Sequence, residues 1–324
     1  MPSTRRELLE RTALASAAAL LTKNASAQGS ASAPSADPTW KKLFPAGFRN
    51  ERIKTTGAEI NALIGGSGPP LLMFHGAPQS LITWRLIAPD LAKDYSLVMC
   101  DLRGYGDSST PPDGENHVNY SKRSMALDGV EVMKHFGHDK FLMVGHDRGG
   151  RVGLRMALDH PDKVLKLAVL DIVPAHYLYS HVTIEFVRAY FHWFNYLRES
   201  PGPENELKAT NDAQLARATN EVQREYLRTS ARMENIHAMC EDYRASASID
   251  LNWDNADFKA GKKVQCPLLT LWAAAGAMGK QYDVLSIWKE EGVNVTGKGL
   301  PGNHSLQESA PKETLAELQK FLHA

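Results

Sequence analysis

Phe141-Leu142-Met143-Val144-Gly145-His146-Asp147-Arg148-Gly149-Gly150-Arg151 joins an apolar run directly to an amphipathic one, with no loop between them. A short unbroken apolar run suits a strand buried on both faces. Helical periodicity then continues to about residue 160, so the chain must turn sharply between 145 and 149. Small residues at both positions permit that turn and push the side chain between them into the crevice beyond the strand's carboxyl end.

Similar apolar runs occupy 71–75 (LLMFH), 97–101 (LVMCD) and 164–171 (VLKLAVLD). Amphipathic stretches at 81–93, 121–136 and 149–160 separate them. This alternation, which begins near residue 51, predicts an α/β fold with an open, mostly parallel sheet and helices on both faces. After Pro174 the pattern breaks. An aromatic and charged helical stretch at 186–198 precedes polar helical segments, and strand-like runs resume only at 267–272 and 293–300, before a last helix near 312–322. The expected organisation is a core of 45–174 and 261–324, with a helical cap of 175–260 inserted over the crevice. No internal repeat interrupts this order.

The 324 residues are 43% hydrophobic and 23% charged, which excludes a mainly disordered chain and a polytopic membrane protein. Lys+Arg and Asp+Glu both number 37, so no global basic field draws nucleic acid. Cys100, Cys240 and Cys266 form no CxxC pair, which argues against a disulfide scaffold or a cysteine-based zinc site. Residues 1–27 read as an export signal of twin-arginine type: Arg5-Arg6, an apolar run at 13–21, then Ala25-Ser26-Ala27. That run is too short for a membrane anchor, so the mature chain is expected to have no integral span and to be periplasmic, or cytoplasmic if the leader is not used. Residues 28–44 are expected to be a flexible lead-in.

The turn at Gly145-His146-Asp147-Arg148-Gly149 has the layout of a nucleophile elbow, with Asp where serine hydrolases carry Ser. The bland reading is a helix N-cap, which Asp also favours. A carboxylate is already ionised at neutral pH and can displace a leaving group from carbon directly. The resulting ester must then be hydrolysed, which calls for a histidine with an orienting acid. His304, in the loop after the last strand, and Asp171, at the end of the strand after the elbow strand, are the candidates. Asp283 is the rival acid. His75-Gly76-Ala77-Pro78 reads as an oxyanion loop, in which the N–H groups of Ala77 and Arg148 would meet developing charge. Arg148 and Arg151 lie three apart on one helix and share a face, a suitable clamp for a small anionic substrate. The alternative is that one pairs with an aspartate and the other is solvated.

Together with Asp101-Leu102-Arg103-Gly104-Tyr105-Gly106 and the segment 156–174 (MALDHPDKVLKLAVLDIVP), this motif resembles the haloacetate dehalogenases of the α/β-hydrolase fold, the fluoroacetate dehalogenase group. The resemblance runs from about residue 45 to the C-terminus and is weakest near 199–235. It implies an eight-stranded sheet, a helical cap, no cofactor or metal, and a homodimer. It carries over Asp147 as nucleophile, His304 as base, Asp171 as its partner, and Arg148 and Arg151 as carboxylate ligands. His192, Trp193 and Tyr243 match its halide pocket; on their own, such aromatics are more often core packing. Ala77 stands where the family commonly has an aromatic residue. The expected reaction converts a short 2-haloacid to a 2-hydroxyacid through an aspartyl ester. Two rival readings are an epoxide hydrolase with the same nucleophile and a non-catalytic small-ligand receptor on the same fold.

Overall fold

A computed structural model of the chain describes residues 39–323; the leader and most of the lead-in lie outside the described residues. Eight strands form one sheet: β1 Arg49–Thr55, β2 Ala58–Gly65, β3 Pro70–Phe74, β4 Ser96–Cys100, β5 Phe141–His146, β6 Val164–Leu170, β7 Leu268–Ala273 and β8 Val295–Leu300. The order across the sheet is β1-β2-β4-β3-β5-β6-β7-β8. β1 and β2 pair antiparallel, β2 pairs antiparallel with β4, and every other pairing is parallel.

β3, β4 and β5 are the runs that the apolar pattern marks, and they lie at the centre of the sheet with both faces covered. One face packs Leu72, Phe74, Met143, Val152 and Leu167. The other packs Leu71, Met73, Leu97, Met99 and Val144. β1 escapes that pattern because Ile53 is its one buried residue, the rest facing solvent at the sheet edge. β8 is half-exposed, and its Gly297 and Gly299 dilute its signal.

Among the described residues, seven helices occupy 175–259, between β6 and β7. The expected helix at 186–198 is two short ones, Ile184–Ala189 and Phe191–Asn195. Tyr190 breaks them apart with a non-helical backbone and stacks its ring on Phe186 at 5.0 Å. Residues 81–93 likewise form a 3-10 turn, Leu81–Leu86, and a short helix, Ala88–Leu91, rather than one amphipathic helix. Proline at 89 accounts for the restart, because it suits a first helical turn and not a helix interior. No helix among the described residues is long and apolar enough to cross a membrane.

Candidate active site

β5 ends at His146 and the helix Arg148–Asp159 begins one residue later. Asp147, between them, takes φ 48° and ψ −114°, a conformation L-residues rarely adopt and one that costs on the order of 1–3 kcal/mol. The turn survives because the chain is pared down around it. A Cβ on Gly149 would lie 2.4 Å from the Phe74 carbonyl oxygen, and one on Gly76 would lie 2.5 Å from Asp147 Cβ. The side chain of Asp147 makes no helix cap, so the N-cap reading fails. Its Oδ2 instead accepts a hydrogen bond of 3.1 Å from the Ala77 N–H.

His304 faces Asp147 across 4.0 Å, from Nε2 to Oδ2. That separation is too long for a direct hydrogen bond and suits a water between the two groups. Nδ1 of His304 bonds Asp171 Oδ2 at 2.7 Å. Asp171 is itself pinned: it follows β6 with φ 49°, and its Oδ1 accepts from the Ala273 N–H at 2.8 Å. The rival, Asp283, is exposed and caps the helix Val284–Glu291 through Ser286. Burial disfavours charge on both members of the facing pair, yet the surroundings reverse it. For Asp147, the cations of His304, Arg148 and Arg151 hold the carboxyl below its ordinary pKa. For His304, the Asp171 hydrogen bond and the Asp147 charge raise the imidazole.

Arg148 and Arg151 are both buried, so the solvated alternative does not hold. Arg148 does pair with an aspartate: its Nε donates to Asp242 at 2.5 Å and its Nη2 to Ser246 at 3.1 Å. Arg151 spends Nε and Nη2 on the Val173 carbonyl. In each guanidinium Nη1 is buried with no hydrogen-bond partner among the described residues. Arg148 lies 3.8 Å over the Tyr243 ring and Arg151 4.6 Å over the Trp193 ring. Trp193 and Tyr243 meet edge to face at 5.6 Å, and His192 reaches Tyr243 at 6.1 Å. The eight side chains and the Ala77 amide singled out in the sequence therefore converge, from β5, β6, the two loops and the inserted helices. Burial lowers His192 and raises Tyr243 well above the usual phenol value, so both are neutral N–H and O–H donors.

Several supporting residues have no role assigned from sequence alone. Asp242 is fully buried and accepts from Arg148, from Tyr105 at 2.7 Å and from Lys122. Nothing in the local sequence pattern marks a lone buried aspartate beside Tyr243. Asp101 collects the Leu81 and Asp107 N–H groups and the Asn61 amide, tying the turn at Leu81 and the loop at Asp107 to β2; burial pushes its pKa up to about 6 despite these donors. His75 accepts from the Leu102 N–H through Nε2, and burial lowers it to about 4. His146 holds the His304 carbonyl from Nε2 at 2.9 Å, with the two rings 4.8 Å apart.

A carboxylate on a strand-to-helix elbow, faced by an Asp-supported histidine on the same parallel sheet, defines an α/β hydrolase in arrangement. Residues 69–291 match the family described as alpha/beta hydrolase fold. The chain is 41% identical over 288 residues to Fluoroacetate dehalogenase of a Burkholderia species, covering 85% of this chain and 94% of that protein. It is 29% identical over 285 residues to Soluble epoxide hydrolase of a Corynebacterium strain, covering 82% and 94%. A solved alpha/beta hydrolase structure from a Nostoc species superposes with a TM-score of 0.82 at 45% identity, over 85% of this chain and 98% of that one. The chain belongs to the haloacetate dehalogenase family of α/β hydrolases.

Proposed function

We propose that the protein hydrolyses short 2-haloacids, such as haloacetate, to 2-hydroxyacids. The observation that carries this reading is the pair of buried Nη1 groups of Arg148 and Arg151, both beside the Asp147 carboxylate. Arg151 makes no ion pair with a carboxylate among the described residues, and an unpaired buried cation costs several kcal/mol. A substrate carboxylate offers the bidentate acceptor that these donors lack.

The sequence of events follows from that anchoring. The Ala77 N–H holds Oδ2 of Asp147, leaving the other oxygen to attack the α-carbon as the carbon–halogen bond breaks. The halide leaves toward the N–H and O–H donors of His192, Trp193 and Tyr243. His304 then takes a proton from water, and the hydroxide adds to the Asp147 carboxyl carbon. The N–H groups of Ala77 and Arg148 meet the oxyanion, the ester bond to the alkoxide breaks, His304 returns the proton to give the hydroxyacid, and the proton left on the Asp147 carboxyl passes to solvent to restore the carboxylate. Esterification removes the Asp147 charge that raises His304, so the imidazole gives up its proton more readily and is free to take one from water once the ester forms.

One observation favours epoxide opening as a second reading. Tyr179 and Tyr243 flank Trp193 at 6.0 and 5.6 Å, and the Tyr179 hydroxyl is buried without a partner among the described residues, as a phenol pair for an alkoxide leaving group requires. Halide release from fluoro-, chloro- and bromoacetate is expected, with no diol from styrene oxide; diol formation without halide release reverses the assignment. Turnover of either kind excludes a passive receptor. Homodimer assembly is inferred from the family, and light scattering reads it. Export rests on the leader, and Arg5→Lys with Arg6→Lys is expected to keep the protein out of the periplasm.

A further inference from the structure

A second cluster of metal-ligating side chains lies apart from the Asp147 site, where the loop after β4 meets the inserted helix Met233–Ser246. Asp113 and His117 come from the loop side, His117 within the turn Glu115–Tyr120. His237 and Glu241 lie four apart on the helix and share a face. Ligand atoms of Asp113, His237 and Glu241 all fall within 4.8 Å of one another. His237 Nε2 is 2.9 Å from Asp113 Oδ1, and His117 Nδ1 is 2.5 Å from Glu241 Oε2. A cavity of about 410 Å³ opens at the cluster, lined by these four residues, Arg244 and Ser200 among others.

The charges there do not balance. Arg244 bonds Glu204 and Glu241 at 2.8 Å each, one cation against the carboxylates of Glu204, Glu241 and Asp113. Glu204 is fully buried, touches His237 Nδ1 through Oε1 at 3.2 Å, and leaves Oε2 buried without a partner among the described residues. Three carboxylates thus surround one guanidinium; against burial, Asp113 and Glu204 raise His237, so a proton there offsets part of the excess charge until a divalent cation displaces it.

We propose that Asp113, His237 and Glu241 bind one divalent transition-metal ion of the Zn²⁺ class, with His117 holding Glu241 from the loop side. Imidazole and carboxylate suit a borderline cation, whereas Mg²⁺ and Ca²⁺ favour oxygen-only sets. The ion clamps the helix bearing Asp242 and Tyr243 to the core loop, a structural role independent of the reaction proposed above. Zn²⁺ titration of tag-free, chelator-treated full-length protein against a chromophoric chelator tests it. One equivalent is expected to bind and to raise the Tm. The affinity is expected to fall at least about tenfold in His237→Gln and in Asp113→Asn, and to persist in His304→Asn. Asp113 and His237 are partly exposed, so these variants are expected to keep the metal-free Tm of the parent. Absence of binding, binding unmoved by both substitutions, binding lost in His304→Asn instead, or equal competition by Mg²⁺ overturns the proposal.

Discussion

Asp147 and His304 alter each other's ionisation, and that coupling gives the site a pH signature. Burial works against the His304 cation, but Asp171 and Asp147 outweigh it, so its folded pKa lies above the ordinary 6.5. A raised pKa on a basic group contributes stability that is complete below the unfolded value and lost as pH rises through the folded one. The gap in urea midpoint between the parent and His304→Asn is therefore expected to be larger at about pH 6 than at about pH 9. A gap that is constant or widens with pH contradicts the pairing. Ester hydrolysis, followed in a single turnover, is expected to titrate at lower pH than His304 in the resting protein measured by NMR. The Asp147 charge that raised it is gone once the ester has formed.

The elbow and the helix Met233–Ser246 set the site at the scale of elements. Gly149→Ala places a Cβ against the backbone carbonyls of Phe74 and His75, which have no rotamer to move. It is expected to cost about 1–3 kcal/mol in urea unfolding and to abolish turnover, because Asp147 moves with the turn. Unchanged activity would remove the elbow from the account. Asp242→Asn weakens the grip on Arg148, which on the proposed reading binds substrate in ground and transition states alike, so KM is expected to rise by about tenfold with a smaller change in kcat. Asp242→Ala strands Arg148 and Lys122 in a buried setting and is expected to destabilise by about 3–5 kcal/mol. The central strands and the elbow were legible because burial on both faces writes an apolar run and a tight turn demands small residues. β1 was not, since an edge strand with one buried side chain leaves no run. Asp171 and His304 followed from chain order and chemistry. Asp242 and Asp101 did not, because their importance comes from partners far away in sequence. His192, Trp193 and Tyr243 needed the family resemblance, since an aromatic cluster alone does not distinguish a pocket from a core.

For the molecule as a whole, balanced charge gives no long-range pull on an anion, so selection falls to the interior. The core supplies Asp147, Asp171, His304 and both arginines, and the inserted helices supply His192, Trp193 and Tyr243. The Asp242–Lys122–Arg148–Tyr105 network joins the two groups through buried polar contacts rather than apolar packing alone. On the proposed reading, a substrate carboxylate supplies the acceptor that Nη1 of Arg148 and Nη1 of Arg151 lack among the described residues. The most direct test is mass analysis of His304→Ala after incubation with chloroacetate or fluoroacetate. The expected result is one carboxymethyl group per chain, confined to the peptide that contains Asp147 and absent from Asp147→Asn with His304→Ala. Halide release with no adduct, or an adduct on any other residue, contradicts attack by Asp147 on carbon.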